Sequence, residues 1–254
     1  MMQDTITARR VVCTLALMTL FFAAGCAGPR SKGVTPPLHT PENTLPENVE
    51  YAVDVYDPFE PVNRRIYTFN YYFDKFFFLP VVNIYESLIP DYVENRVSCF
   101  VDNVFEFNNF TNNMLQMKFR ATIITLSRLL VNSTIGIAGL WDPATDMGMI
   151  RQTEDFGQTL GHYRVGNGPY IVLPVLGPSN LRDTTGLVAD SVAFAVVGPS
   201  AWVDDDDASL VFNGVAAVDK RHRQSFRYYS TGSPFEYEMI RLLYSSMREI
   251  EIAR

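Results

Sequence analysis

Few residues in this sequence have the type and spacing that catalysis requires. His162 follows Glu154 and Asp155 within one segment, so a hydrolytic base is conceivable, although a lone histidine beside turn glycines is more often structural. The acidic run 204–207 could hold a divalent cation, but a solvated loop that caps a helix explains it better. The sequence contains no GxSxG, GxxxxGKS/T, HExxH or CxxC motif. We therefore expect no enzymatic activity, no metal site and no cofactor.

Cys26 is the clearest candidate for covalent chemistry. Two arginines precede an uncharged, mainly apolar run over residues 11–25, which has the form of a signal peptide and is too short to span a bilayer comfortably. The run ends Ala23-Ala24-Gly25-Cys26, which resembles the bacterial lipobox except that Ala23 replaces the usual leucine. This resemblance implies cleavage before Cys26 and acylation of the new N-terminus. An ordinary signal peptide with an incidental cysteine is the alternative.

The composition indicates a folded protein that does not bind nucleic acid. Of its 254 residues, 47% are apolar, 13% are aromatic and 19% are charged, so the chain can bury a core. Its formal charge is −7 and its basic residues form no cluster, which argues against a nucleic-acid partner. Prolines and weak apolar periodicity indicate a tether after the cysteine. We expect a signal peptide over 1–25, an acylated cysteine with its tether over 26–55, and one domain over 56–254.

Regular spacing of apolar residues predicts helices throughout this domain. Three sequences of capping-box form begin at Asp57, Asp91 and Ser233, and each precedes apolar residues that recur at intervals of three and four. Similar stripes predict helices near 119–130 and 211–218. These elements must position whatever functional residues the chain has.

The sequence offers little support for β-strands. The best β-like run, residues 170–176, contains Pro174, which cannot donate a hydrogen bond to a sheet. No segment repeats another. The sequence therefore predicts a mainly α-helical, single domain.

An aromatic segment, Tyr67–Phe78, stands out because eight of its twelve residues are aromatic. A helix with aromatic residues on nearly every side presents more apolar surface than one core-facing stripe requires. Tyrosines with a lysine nearby are also typical of the interface between lipid and water. The alternative is a helix buried in the centre of the domain.

A glycine segment over residues 157–178 interleaves glycines and prolines with apolar residues. That combination favours specific turns over a flexible linker. Gly161, Gly166 and Gly168 are candidates for a positive φ, which other residues adopt only at a cost of about 1 kcal/mol or more. Arg182 and Asp183 could anchor the segment through charge-assisted hydrogen bonds.

Nine motifs follow one another along residues 57–190 in a distinctive order. They are Asp57–Arg64, Tyr67–Asn70, Arg128, Asn132–Gly136, Gly139–Asp142, Phe156–Gly161, Gly166–Tyr170, Leu176–Ser179 and Arg182–Asp183. This order resembles that of the MlaA (VacJ) lipoprotein family. The match is close over residues 57–190 and loose after Val192, where Ser233-Pro234-Phe235 stands in place of the family's frequent Asp-Pro-Tyr. So many motifs in one order argue against a chance match.

The resemblance implies an α-helical, ring-like lipoprotein that is embedded in the inner leaflet of the outer membrane around an amphipathic channel. Such a protein removes mislocalised phospholipid from the outer leaflet and passes it to a periplasmic lipid carrier, which maintains the lipid asymmetry of the membrane. A porin trimer is the implied membrane partner. Because the sequence has no nucleotide-binding motif, any lipid flow through this chain is passive.

Together with the resemblance, the aromatic segment and the glycine segment predict where lipid passes. We expect the aromatic segment to lie against the inner leaflet or the channel wall, with Phe69, Asn70, Tyr71 and Phe77 as candidate lipid-path or gate residues. Asn70 in particular must find a hydrogen-bond partner or a wet lumen. We also expect the glycine segment to shape the lipid path or its rim, with Gly161, Gly166 and Gly168 as the candidate residues.

Two other functional classes stay open at this point. The first is a structural envelope lipoprotein that associates with a porin and moves no lipid. The second is an envelope lipid hydrolase, which would release lysolipid or free fatty acid when purified. Deletion of a structural protein would leave the lipid composition of the outer leaflet unaltered.

Overall fold

Nine α-helices, a π-helical segment and one β-hairpin form the part of the chain that the computed structural model describes, residues 55–199 and 206–254. The mainly α-helical single domain is therefore confirmed. The signal peptide, Cys26 and nearly all of the tether lie outside the described residues. In chain order the elements are α1 Glu60–Phe73, the π-helical segment Asp74–Phe78, α2 Leu79–Leu88, α3 Asp91–Leu115, α4 Phe119–Thr134, α5 Pro143–Asp146, α6 Phe156–His162, β1 Tyr170–Leu173, β2 Gly177–Asn180, α7 Leu181–Val196, α8 Asp206–His222 and α9 Glu236–Ala253.

Three helices begin without the side-chain caps that the sequence predicts. Phe59, Pro90 and Phe235 stand immediately before α1, α3 and α9, and none of them caps the helix with its side chain. The capping-box predictions are therefore wrong at these three starts. At α1 the reason is visible, because Asp57 accepts a hydrogen bond from Asn63 at 2.8 Å instead of binding the first turn of the helix.

The aromatic segment includes a π-helical turn between α1 and α2. The backbone N–H of Leu79 donates to the carbonyl of Asp74, five residues earlier, as a π-helix requires. Pro80 follows directly, and a proline has no N–H to donate and crowds the carbonyl four residues before it. The wider π turn lets the chain continue as one helical path through this proline.

The run 170–176 forms the first strand and the turn of a β-hairpin, which the sequence did not predict. β1 and β2 pair antiparallel, from Tyr170 opposite Asn180 to Leu173 opposite Gly177. Pro174 lies one residue beyond β1, in the turn, so it removes no hydrogen bond from the ladder. The proline therefore ends the strand rather than preventing it.

The polarity of the domain is inverted: its buried side chains are mainly polar, whereas the composition suggests an apolar core. Among the described residues, nine buried side chains are apolar and twenty-four are polar or charged. On α4, for example, Ile123 and Leu130 are 64% and 58% exposed, whereas Thr125 and Arg128 are buried. A small apolar core gathers around Tyr67, between α1, the hairpin and α9. No helix within the described ranges combines the length and the apolar character needed to cross a membrane.

The buried polar face of α3 and α4 is held together by Arg128. Its Nε donates to Glu106 at 2.9 Å, and its Nη2 donates to Asp142 at 2.9 Å. Both the Arg128 and the Glu106 side chains are almost fully shielded from solvent. Because a buried charge is costly unless it is paired, these ion pairs are what allow the two helices to pack through polar faces.

Candidate functional site

Two asparagines on one face of α1 hold the backbone of the hairpin. Asn70 donates to the Leu173 carbonyl at 2.9 Å and accepts from the Val175 amide at 2.7 Å. Asn63, about two helical turns earlier, binds a carbonyl and an amide of β1 at 3.0 and 2.9 Å. The hydrogen-bond partner that Asn70 requires is therefore the hairpin itself. The side-chain amides take the place of a neighbouring strand, so these backbone groups of the hairpin are satisfied.

The tip of the hairpin is apolar and exposed. Val175 and Leu176 are 41% and 64% exposed. Val175 also has a φ of +68°, a left-handed conformation that costs a β-branched residue roughly 1–2 kcal/mol. The hydrogen bond from Val175 to Asn70 helps to offset that cost. The hairpin therefore ends in an apolar turn whose side chains are exposed and whose backbone is fixed by Asn70.

The aromatic segment Tyr67–Phe78 divides into a buried and an exposed side. Tyr71 is buried, whereas Phe69 and Phe77 are 48% and 51% exposed. Phe73 stacks between these two phenylalanines, with ring centroids 5.9 Å from Phe69 and 5.0 Å from Phe77. The alternative of a helix buried in the centre of the domain is therefore wrong for this side of the segment. The exposed rings form a continuous apolar surface.

The charged residues of the aromatic segment have polar partners. Asp74 is buried and receives two hydrogen bonds from Arg221 at the end of α8, at 2.5 and 2.8 Å. Lys75 donates to the hydroxyl of Tyr71 at 3.0 Å. The bidentate pair joins the π-helical turn to α8 and fixes which side of the segment faces outward.

The three candidate glycines differ in conformation. Gly168 has a φ of +67°, whereas Gly161 and Gly166 do not have a positive φ, so that prediction is wrong for those two. At Gly161, in α6, an added Cβ would lie 2.6 Å from Ile252, which means that α9 packs directly on this glycine. At Gly168 an added Cβ would lie 3.0 Å from the Leu181 Cβ, while at Gly166 it would meet open space.

Arg182 and Asp183 anchor the glycine segment, in agreement with the sequence analysis. Arg182 donates to the side chain of Asn167, next to the positive-φ turn. Arg248 of α9 donates to Asp183 at 2.9 Å and to Asp155 at 2.7 Å. Burial alone would raise the pKa of both carboxyl groups, but their hydrogen bonds with Arg248 hold each pKa below its usual range. The segment is therefore fastened to α9 by ionised groups.

The residues considered for hydrolysis are not brought together. Glu154 pairs with Lys118 at 2.8 Å, and Asp155 caps α6 by accepting from the Gln158 amide at 2.8 Å. His162 is exposed at the other end of α6. In the described ranges no group of three His, Cys, Asp or Glu side chains is arranged to hold a metal ion. Two residues of the acidic run 204–207, Asp204 and Asp205, lie outside those ranges.

A close helix crossing was missed by the sequence analysis. α6 and α7 meet at Gly157 and Gly186, where a Cβ on Gly186 would lie only 2.3 Å from the backbone nitrogen of Gly157. The two glycines lie far apart in sequence, so no local pattern connects them. The seven-residue spacing of Asn63 and Asn70, in contrast, was visible and places both on one helix face.

Sequence comparisons show what the chain is similar to. The model of the MlaA lipoprotein family matches residues 55–251. An uncharacterized protein of Rickettsia bellii is 34% identical over 207 residues, which cover 81% of this chain and 80% of that protein. The intermembrane phospholipid transport system lipoprotein MlaA of Escherichia coli is 36% identical over 141 residues, which cover 53% of this chain and 55% of that protein.

Comparison of structures agrees with this result. A solved structure from work on the structural basis for maintenance of bacterial outer membrane lipid asymmetry matches with a TM-score of 0.63 and 28% sequence identity. The match covers 77% of this chain and 98% of the solved one. On sequence and on fold, the chain belongs to the MlaA lipoprotein family.

Proposed function

We propose that this protein is an outer-membrane lipoprotein that removes mislocalised phospholipid from the outer leaflet and passes it to a periplasmic carrier, and so maintains lipid asymmetry. The family and the relatives named for phospholipid transport support the proposal. The structural observation that supports it most is the inverted polarity, with polar side chains buried and large apolar side chains exposed across the described helices.

An inverted surface of this kind is unfavourable in water and favourable in lipid. Each exposed leucine, isoleucine or phenylalanine gains roughly 1.5–3 kcal/mol when it is removed from water. In the proposal the apolar faces of α1, α4 and α9 lie among acyl chains of the inner leaflet. The acylated Cys26 adds a covalent anchor, and more than one acyl chain makes the attachment long-lived.

A protein path is needed because phospholipid leaves a membrane slowly. A two-chain lipid has about thirty methylenes, so exposing it to water costs on the order of 20 kcal/mol. A ring-like protein with a polar route for the headgroup and an apolar route for the tails removes most of that barrier. The ring shape, the porin trimer and the periplasmic carrier stay predictions, as do the gate roles of Phe69, Asn70, Tyr71 and Phe77.

The path also requires defined walls. The apolar tip at Val175 and Leu176 is held by Asn70, and the turn at Gly168 is fastened through Arg182. In the proposal this hairpin, together with Gly161, Gly166 and Gly168, shapes the rim of the lipid path. No step of this process requires a bond to be made or broken, so the protein acts as a conduit and not as an enzyme.

The proposal is tested by the phospholipid content of the outer leaflet in a strain of the source bacterium that lacks the gene. We expect that content to rise on deletion and to return to normal when the wild-type gene is restored. The Cys26→Ala variant should fail to restore it, because the precursor stays uncleaved or mis-sorted. Unaltered outer-leaflet lipid would favour the structural class instead, and lysolipid released by the purified protein would favour a hydrolase.

A further inference from the structure

A groove lies between the first turns of α3 and residues 135–146, which follow α4 and include α5. Its volume is about 650 Å³, which is within the range of roughly 300–1,000 Å³ that is usual for small-molecule sites. None of its lining residues belongs to the aromatic or the glycine segment. Its lining includes Arg96, Cys99, Ile135, Ile137, Trp141 and Asp146.

Arg96 is the cation of this groove, and it has an unusual environment. Its guanidinium carbon lies 5.1 Å from the ring centroid of Tyr92 and 5.3 Å from that of Trp141, so two aromatic rings fix its position. One Nη donates to the Leu140 carbonyl at 3.2 Å, and the Nε is buried without a hydrogen-bond partner. No carboxylate of the described residues pairs with Arg96. The buried Arg128, in contrast, has its donors taken up by Glu106 and other acceptors.

The two acidic residues of the groove have different roles. Asp142 is already engaged, because hydrogen bonds from Thr145, Asn132 and Arg128 outweigh the effect of burial and lower its pKa to about 2. Asp146 is exposed, and among the described residues none pairs with it. The groove therefore contains one positive group, Arg96, and one negative group, Asp146, and no oppositely charged side chain of the described residues pairs with either.

The remaining wall of the groove is apolar and rigid. Ile135 and Ile137 are 63% and 60% exposed. Ile137 and Ala138 have φ values of 50° and 56°, a strained left-handed pair. The loop keeps this shape because it is packed against α3, where a Cβ on Gly139 would lie 2.6 Å from the side chain of Asn103. An apolar surface next to opposite free charges suits an amphiphile better than a simple anion.

We propose that this groove binds the headgroup of a phospholipid, with Arg96 holding the phosphate, Asp146 facing a headgroup amine, and Ile135 and Ile137 contacting the upper acyl chain. The planar guanidinium group suits phosphate because its N–H donors match the phosphate oxygens in pairs. The inference rests on the proposed function, since it assigns one binding site to the lipid that the protein moves.

Trp141 makes the groove directly observable. The sequence contains two tryptophans, so Trp202→Phe leaves Trp141 as the sole tryptophan reporter. The protein is titrated with dihexanoyl phosphatidylethanolamine at a constant concentration of dodecyl maltoside, and the fluorescence of Trp141 is recorded. Parallel titrations use dihexanoylglycerol, which has the same chains without phosphate, and inorganic phosphate. We expect a saturable change with the phospholipid, at much lower concentration than with either of the other two.

Variants of Arg96 test its role in the same background. Arg96→Gln should raise the phospholipid concentration at half-saturation roughly 10- to 100-fold, because it removes charge-assisted hydrogen bonds. Arg96→Lys should recover part of the affinity. Arg120→Gln, an exposed arginine on α4, is the matched control and should bind like the parent. Circular dichroism checks that each variant is folded.

Several results would overturn the inference. Half-saturation by inorganic phosphate at the same concentration would show a general anion site, and equal binding of dihexanoylglycerol would show an apolar site without headgroup recognition. No response of Trp141, or equal affinity in Arg96→Gln, would remove the groove from consideration. The deletion strain separates the two proposals. If the binding test fails but the wild-type gene still returns the outer-leaflet phospholipid to normal, only the groove assignment is wrong and the proposed function stands.

Discussion

Asn70 fixes Val175 at the tip of the hairpin: its side-chain oxygen accepts the Val175 amide at 2.7 Å, and its amide donates to the preceding strand. Val175 can therefore stay in a left-handed conformation with its side chain partly exposed. Asn70 is itself buried, so it shapes the apolar tip without facing solvent. A residue of the aromatic segment thus controls the position of the glycine segment.

Replacing Asn70 by leucine should loosen the hairpin. The change leaves the Val175 amide and the Leu173 carbonyl without partners, and each unsatisfied group costs about 1–3 kcal/mol. We expect the free energy of unfolding to fall by about 2–4 kcal/mol, measured by denaturant titration in detergent. Asn95→Leu, at an exposed position on α3, is the control and should change little. Equal stability of the two variants would contradict the structural role of Asn70.

Arg128→Met should be among the most damaging single changes in α4. It leaves Glu106 buried with its main partner gone, which typically costs roughly 3–5 kcal/mol. Thermal unfolding followed by circular dichroism measures the loss, and Arg120→Met on the exposed side of α4 is the matched control. Adding Glu106→Gln should recover part of the stability, because it removes the unpaired charge. A double variant that is as unstable as the sum of the two single changes would refute the pairing.

The ion pairs of Arg248 predict how stability depends on pH. The folded-state pKa values of Asp155 and Asp183 lie below the unfolded value, which is about 3.9 for aspartate. Their contribution is therefore complete above the unfolded pKa and is lost as the pH falls through the lowered pKa values. We expect Arg248→Met to be less stable than the wild-type protein at pH 6. Between pH 5 and pH 2 the variant should lose less stability than the wild-type protein does. Parallel stability curves for both proteins would contradict this assignment.

Gly168 and Gly166 form a natural pair for testing the glycine segment. Gly168→Val forces a β-branched residue into a left-handed conformation next to Leu181, at a cost of roughly 1–2 kcal/mol or more. Gly166→Val meets open space at an ordinary φ, so it should cost the fold little stability. In the deletion strain, the Gly168→Val protein should lower the phospholipid content of the outer leaflet less than the same amount of wild-type protein does. Full activity of Gly168→Val at normal abundance would count against a role at the rim.

The helices could be predicted because apolar residues recur at helical intervals. However, the periodicity does not show whether the apolar side of a helix faces lipid or a protein core. An apolar residue such as Leu130 would stand at the same spacing in a water-soluble protein. The polar interior around Arg128 depends on partners from other helices, which the local sequence does not identify. The hairpin was missed because each strand has four residues and its backbone is satisfied by Asn63 and Asn70 of α1.

The proposed function depends most directly on where the exposed apolar faces lie. A fluorescent probe is attached at Phe77→Cys, or at Lys220→Cys on an exposed polar position of α8, after the free thiol of Cys99 is replaced by serine. The acylated proteins are reconstituted in vesicles that contain lipid-borne quenchers at defined depths. We predict that lipid quenchers reach the probe at Phe77 and that aqueous iodide reaches the probe at Lys220. Shielding of the Phe77 probe from lipid, or its quenching by iodide to the same extent as at Lys220, would contradict the membrane placement.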